Sequence, residues 1–119
     1  MPYKLYAYWS APQPQDEAAF EEYYKSTHVP RAAAVPNLER IVTTRTSDGF
    51  EGGETPHYRV AEMVFSSKQA MDESAQSPEW AEMRQCSADI IGRFGVSLTV
   101  EMGEEETGEV RPSAASASS

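Results

Sequence analysis

Phe20-Glu-Glu-Tyr23-Tyr24-Lys-Ser-Thr27-His28-Val29-Pro30-Arg31-Ala-Ala-Ala-Val-Pro36-Asn-Leu38 is the stretch from which the rest of the chain can be placed. Phe20, Tyr23, Tyr24 and Thr27 stand at i, i+3, i+4 and i+7, so they share one face of a helix. His28 falls one turn after Tyr24, at the edge of that face. Proline disfavours helical geometry in the residue before it, so Pro30 predicts that the helix ends at or near His28. Arg31 to Pro36 then reads as a turn or irregular crossing, and a strand begins near Leu38. Two readings of His28 follow. It caps the helix, its ring donating to the last free carbonyls and its charge complementing the dipole, which would bias it toward the protonated form. Alternatively it faces a pocket and moves protons, as a side chain that titrates near neutrality can.

Upstream, Tyr3 to Trp9 alternates as a strand, with Tyr3, Leu5, Ala7 and Trp9 on one face and Lys4, Tyr6 and Tyr8 on the other. Pro12 and Pro14 end it, and Asp16 is placed to cap the helix that carries Phe20. Downstream, Leu38 to Thr46 and His57 to Phe65 are two further strands. The loop between them contains Asp48-Gly49 and Gly52-Gly53 and is too long for a two-residue hairpin. Ser66, with Gln69 three residues on, gives a capping-box signal. The helix it opens is broken at Ser77-Pro78, where serine can cap and proline can take the first turn. Trp80, Met83, Ser87, Ile90, Ile91 and Phe94 continue at helical spacing to Gly95, a stop. Val96, Leu98, Val100 and Met102 alternate as a fourth strand.

The order is β-α-β-β-α-β, the ferredoxin-like α+β arrangement, with a four-stranded antiparallel sheet. Helices in this order can cover only one sheet face. The other carries Tyr6, Tyr8, Val60, Glu62 and Val64, which is poor solvent surface and predicts a homodimer.

A chain of 119 residues supports one domain with a modest core. The domain is expected over residues 1–103. Residues 104–119, acidic and then small and polar, are expected to form a disordered tail. The net charge of −9 excludes a phosphate-binding surface for nucleic acid, since residues 1–100 still hold 14 acids against 9 bases. No apolar run has the length of a membrane span, and no signal segment opens the chain, so a soluble cytoplasmic protein is expected. Cys86 alone cannot form an intrachain disulfide. It lies off the main apolar stripe of its helix and has no local histidine signature for a nucleophile.

The run Phe20-x-x-Tyr23-Tyr24-x-x-x-His28-x-Pro30 followed by Pro36-x-Leu38 resembles the signature of the EthD family. So does Ala61-Glu62-Met63-Val64-Phe65 leading into Ser66-Ser67 and a helix. The resemblance spans about residues 3 to 102. It implies a dimeric α+β barrel in which two sheets face each other and each subunit keeps a pocket between its sheet and its helices. The family is named for a protein encoded with an ether-degrading oxygenase system. Related barrels include methylmuconolactone isomerases, pigment-pathway dehydratases and polyketide cyclases, which work without metal or organic cofactor. Arg31 stands where the family often has leucine, which implies a more polar pocket mouth, and the glycine-rich 47–56 loop would reshape the entrance.

Cofactor-free proton transfer needs an acid or base of tuned pKa and groups that hold an oxyanion. His28 supplies the first. Glu62, on an apolar strand face, would have its pKa raised by desolvation and could serve beside it, or else form an interfacial ion pair with Arg59 or Arg45. Tyr24 and Tyr23 can donate to an enolate, or pack in the core with the hydroxyl at the rim. Arg31 can pair with a substrate carboxylate. Trp9 and Trp80 are core or pocket wall, and His57 is a rim residue. His28, His57 and Glu62 are metal-ligand types without close ligand spacing, so no metal is expected. Two function classes remain. One is an enzyme that isomerises, dehydrates, cyclises or decarboxylates a hydrophobic oxygenated small molecule from a catabolic or polyketide-type pathway. The other is a non-catalytic protein that binds such a molecule as an accessory to an oxygenase system.

Overall fold

The computed structural model describes residues 1–112. Strands β1 (Tyr3–Trp9), β2 (Leu38–Arg45), β3 (Arg59–Phe65) and β4 (Leu98–Glu104) form one sheet in the order β2-β3-β1-β4. Every neighbouring pair is antiparallel. Helices α1 (Glu17–Tyr23), α2 (Val29–Ala33), α3 (Lys68–Ser74) and α4 (Pro78–Phe94) complete the ferredoxin-like α+β arrangement that the alternation predicts.

Strand parity decides what each face carries. Leu5, Trp9, Ala61, Met63 and Phe65 point to the helices and are buried. Tyr6 pairs with Glu62, and Tyr8 with Val60, on the opposite face, where all four are half-buried. The core forms two clusters. One gathers Leu5, Val35, Met63, Phe65, Met71 and Met83; the other gathers Trp9, Phe20, Tyr24, Ile90, Phe94 and Val96. Burying aromatic and long aliphatic side chains of this size contributes about 1.5–3 kcal/mol each.

The helix expected to end at His28 does not end there. Tyr24–His28 is a π-helical turn, and Val29, in helical conformation, sends its backbone N–H to the Tyr24 carbonyl five residues back. Pro30 has no N–H for the Ser26 carbonyl, and its ring would crowd the preceding turn of a regular helix. Widening that turn by one residue relieves both problems, so the rod runs on to Ala33 with Pro30 in the first turn of α2. His28 is therefore not a helix cap. The chain turns only after Ala34, through Asn37 at φ 66°.

Three local expectations shift. Asp16 precedes α1 but makes no side-chain cap, because a 3-10 turn at Pro14–Asp16 already feeds the helix. The cap of α3 is Ser67 rather than Ser66, its hydroxyl accepting from Ala70 N–H at 3.1 Å. Cys86 is fully buried instead of lying off the packed face, because α4 also meets Tyr23, whose hydroxyl is 3.8 Å from Cys86 Sγ. Ser77 caps α4 as expected, accepting from Trp80 N–H at 3.1 Å, and Gly95 ends it at φ 65°, a conformation that costs glycine little.

At the C-terminal end, β4 runs to Glu104 and the Glu105 N–H donates to the Pro2 carbonyl at 2.9 Å. Backbone pairing thus continues just past residue 103. Of the tail expected from 104 onward, residues 113–119 lie outside the described residues.

A buried ion pair ties the helical rod to the sheet. Arg59 donates to both carboxylate oxygens of Glu21, and Tyr58 Oη donates to Glu21 Oε2 at 2.9 Å. Burial pushes the Glu21 carboxyl up, but the Arg59 and Tyr58 hydrogen bonds outweigh it and hold the pKa below its ordinary value. Removing one partner strands the other charge away from water, whereas apolar replacement of both does not. Glu21→Leu alone should therefore cost about 3–5 kcal/mol. The double variant Glu21→Leu/Arg59→Met should recover most of that loss in urea unfolding. Equal destabilisation of single and double variants would show that the pair does not bridge the two elements.

Candidate functional site

Between the helix-facing side of the sheet and the helices lies a cavity of about 480 Å³. That is within the usual range for small-molecule sites. Its floor is the inward face of the sheet (Leu5, Ala7, Ile41, Ala61, Met63), and α4 closes it with Trp80, Met83 and Ala88. The apolar lining draws on both core clusters. At one side stand Trp9, Tyr24 and His28, delivered by β1 and by the π turn.

Tyr24 and His28 stand one helical turn apart, so they share a wall as i and i+4 residues do, and the π turn keeps the rod continuous through them. The Tyr24 and His28 ring centroids are 5.7 Å apart. The Trp9 ring stands edge-on to both, at 6.3 Å from Tyr24 and 5.5 Å from His28. Arg59 lies with its guanidinium 5.0 Å from the Tyr24 ring centroid, so the Glu21 ion pair buttresses this wall from behind.

Trp9 and Tyr24 are 1% exposed and His28 is 7% exposed. Among the described residues, Trp9 Nε1, Tyr24 Oη and His28 Nδ1 have no hydrogen-bond partner. A buried polar atom left unpaired costs about 1–3 kcal/mol, so three around one cavity are a large expense in stability. A fourth buried polar atom without a partner among the described residues, Ser74 Oγ, belongs to a residue outside the cavity lining.

Burial, reinforced by the positive charge of Arg31, pushes the His28 pKa down to about 4. This reverses the bias toward the charged form that a helix end would give. The reason is the continuation of the rod, which leaves His28 inside the protein rather than at an exposed terminus. Burial likewise raises Tyr24 to about 12, against the opposing pull of Arg59. At neutral pH His28 is therefore a neutral imidazole and Tyr24 a neutral phenol.

The other residues singled out from the sequence fall elsewhere. Trp80 lines the cavity. Tyr23, rotated to the neighbouring side of the rod, packs on α4 with the Arg93 guanidinium 5.4 Å from its ring centroid. Arg31 is exposed and outside the lining, acting on His28 through charge alone. Glu62 is on the far sheet face, where it accepts from Lys4 Nζ at 2.6 Å and meets neither Arg59 nor Arg45; the latter pairs with Glu17. It cannot act beside His28, because neighbouring residues on a strand point to opposite faces and Met63 takes the inward position. His57 is half-buried against Tyr8, at 4.7 Å between ring centroids. Residues 47–56 contribute nothing to the lining. Arg84, which does line the cavity, was masked in the sequence by its setting on the charged face of α4; its place four residues after Trp80 and seven before Ile91 was the available signal.

Residues 12–94 match the model of the EthD domain. Over 94 residues the chain is similar to an uncharacterized 11.0 kDa protein from the thcB-thcC intergenic region of Rhodococcus erythropolis, at 31% identity, covering 79% of this chain and 87% of that one. An EthD family protein of Bacillus halodurans superposes with a TM-score of 0.75 at 29% identity, over 89% of this chain and all of that one. The fold is shared with SnoaB, a cofactor-independent oxygenase of Streptomyces nogalater, at a TM-score of 0.60 and 14% identity, covering 90% of this chain and 95% of that one.

The depressed His28 pKa has a consequence for stability. Unfolded, this histidine titrates near 6.5; folded, near 4. Between these values the unfolded chain binds the extra proton, so the contribution is complete above pH 6.5 and is lost as pH falls through about 4. Its slope approaches about 1.4 kcal/mol per pH unit. Thermal unfolding at pH 7, 5.5 and 4.5 should show wild type losing stability faster than His28→Gln over this interval. Parallel curves would mean that His28 is not buried neutral.

Proposed function

The chain belongs to the EthD family, and from that premise we propose that it binds a hydrophobic small molecule bearing a carbonyl or hydroxyl oxygen and transfers a proton on it without metal or organic cofactor. The observation that carries this reading is an otherwise apolar cavity with Trp9, Tyr24 and His28 together on one wall, residues whose Nε1, Oη and Nδ1 atoms have no hydrogen-bond partner among the described residues. One hydrogen-bonding oxygen and an apolar body is the ligand chemistry this lining matches.

In this reading the ligand oxygen accepts from Trp9 Nε1–H and Tyr24 Oη–H, while neutral His28 removes a proton from the adjacent carbon. The C–H electron pair becomes the new C=C bond, the carbonyl π pair moves onto oxygen, and the proton resides on the imidazole. Two donors already fixed on the inner, apolar side of the cavity would stabilise the enolate without reorganisation. A free-state pKa of about 4 makes His28 a weak base. The enolate forming beside it favours the imidazolium and lifts that value during the reaction. Return of the proton to a different carbon completes an isomerisation; loss of a β-hydroxyl with that proton completes a dehydration.

Binding without turnover has its own support. Among the described residues no carboxylate lines the cavity, and His28 is held neutral. An accessory ligand carrier would need no more. Deuterium wash-in separates the two readings. With 2-tetralone, an apolar ketone with acidic α-hydrogens, the protein in D₂O should accelerate α-exchange followed by proton NMR. His28→Gln should lower that acceleration by about 10²–10⁴, with tetralone still quenching tryptophan fluorescence. Tetralone that binds wild type without any accelerated exchange would contradict catalysis and leave the carrier reading.

The reading extends to assembly as a homodimer in the cytoplasm. Tyr6, Tyr8, Val42, Val60 and Val64 are half-buried on the sheet face that no helix covers, and a second sheet would cover them. Light scattering at micromolar concentration should give about twice the 13.2 kDa chain mass. A monomer mass would refute the paired sheets.

A further inference from the structure

The open side of the cavity has a chemistry distinct from its inner wall. Between α4 and the edge strand β4, Ile91, Val100 and Met102 line the cavity while remaining 38%, 46% and 53% exposed. β4 is paired only with β1, so this flank is where the cavity meets water. Among the described residues, Arg84, exposed and on the same helix as Ile91, is the only charged residue of the lining apart from the titratable His28. Among the described residues it makes no salt bridge, although α4 also carries Glu79, Glu82 and Asp89, and Asp89 is engaged by Gln85. Arg31, Arg40, Arg93 and Arg111 likewise make no salt bridge among the described residues, so what sets Arg84 apart is its place at the rim of the apolar cavity.

We propose that Arg84 is a specificity-determining residue that selects ligands carrying an anionic group, a carboxylate above all, in addition to the oxygen held near Trp9, Tyr24 and His28. The inference rests on the reading that the cavity binds an apolar oxygenated molecule, and it adds an anionic group to that molecule. The ligand's apolar body fills the space between Leu5, Met63 and Met83. Its carboxylate stays at the Arg84 rim, half in water, where it need not be fully desolvated to be recognised. A guanidinium offers two parallel N–H donors to a carboxylate, a geometry that a neutral hydroxyl cannot fill. The net negative charge of the rest of the chain disfavours anions at its surface in general, so the rim arginine defines where one is accepted. Arg31, the cation expected from the sequence to take a substrate carboxylate, does not line the cavity and cannot fill this role from its place on the rod.

The test is a matched pair of probes, 2-naphthylacetate and 2-(2-naphthyl)ethanol, titrated against the full chain by quenching of Trp9 and Trp80 at low and high salt. For wild type the carboxylate should bind about fivefold tighter than the alcohol at low salt, the upper end for a solvent-exposed ion pair. The preference should shrink at high salt. It should fall to about unity in Arg84→Gln and invert in Arg84→Glu. Arg84 is exposed, so both variants should keep the wild-type circular dichroism and melting profile, and this is measured alongside. If both probes bind wild type with a ratio near one, or the ratio persists in Arg84→Gln, the role of Arg84 is overturned while the cavity reading stands. If neither probe binds wild type, the cavity reading falls and the inference falls with it.

Discussion

A proline inside a continuous helical rod is the constraint on which this structure turns. Pro30 cannot donate to the carbonyl four residues back, and the rod accepts this by opening one π turn at Tyr24–His28 instead of ending. The consequence is positional. His28 stays in the rod one turn after Tyr24, both line the same cavity, and both remain buried. Had the helix stopped at His28, the imidazole would have gained carbonyl partners and a raised pKa. It has instead no partner at Nδ1 and a pKa pushed down to about 4. The same backbone feature thus fixes the geometry of the wall and the protonation state of its histidine.

The surrounding interactions hold that wall in place. Arg59 supports the Tyr24 ring from behind and is itself neutralised by Glu21, which Tyr58 also holds. Phe20 stacks on Tyr24 at 5.7 Å between ring centroids and meets Trp9 edge-on, so neither ring can turn without disturbing the core. Three unsatisfied polar atoms would be a defect in a protein selected for stability alone. In the proposed function they belong to the residues that a ligand oxygen would meet.

The sheet was legible because its signal is local. Strict alternation placed Leu5, Trp9, Met63 and Phe65 inward and Tyr6, Tyr8 and Glu62 outward, and the register bears this out. The same parity already separated Glu62 from the helix-facing side, although its residue type made it attractive as a partner for His28. The serine-proline and glycine boundaries of α4 were likewise readable, since caps act within one turn. The path of the rod was not. The rule that a helix ends before proline is a preference of the isolated chain. Here packing of Ala32 and Val35 into the core outweighs it. Arg84 escaped notice for a related reason: on a helix rich in charge, only the position of the facing sheet decides which cation borders a cavity.

The central claim is that the Trp9, Tyr24 and His28 wall receives a ligand oxygen. The chain has only two tryptophans, so its two indole N–H resonances report on opposite parts of the cavity. Nitrogen-15 correlation spectra recorded while 2-tetralone is added should move the Trp9 Nε1–H signal downfield, as expected for a new hydrogen bond to the ketone. Trp80 should show only the smaller shift of a neighbouring ring. A Trp9 indole signal that stays fixed while Trp80 saturates would place the ketone away from this wall and contradict the account.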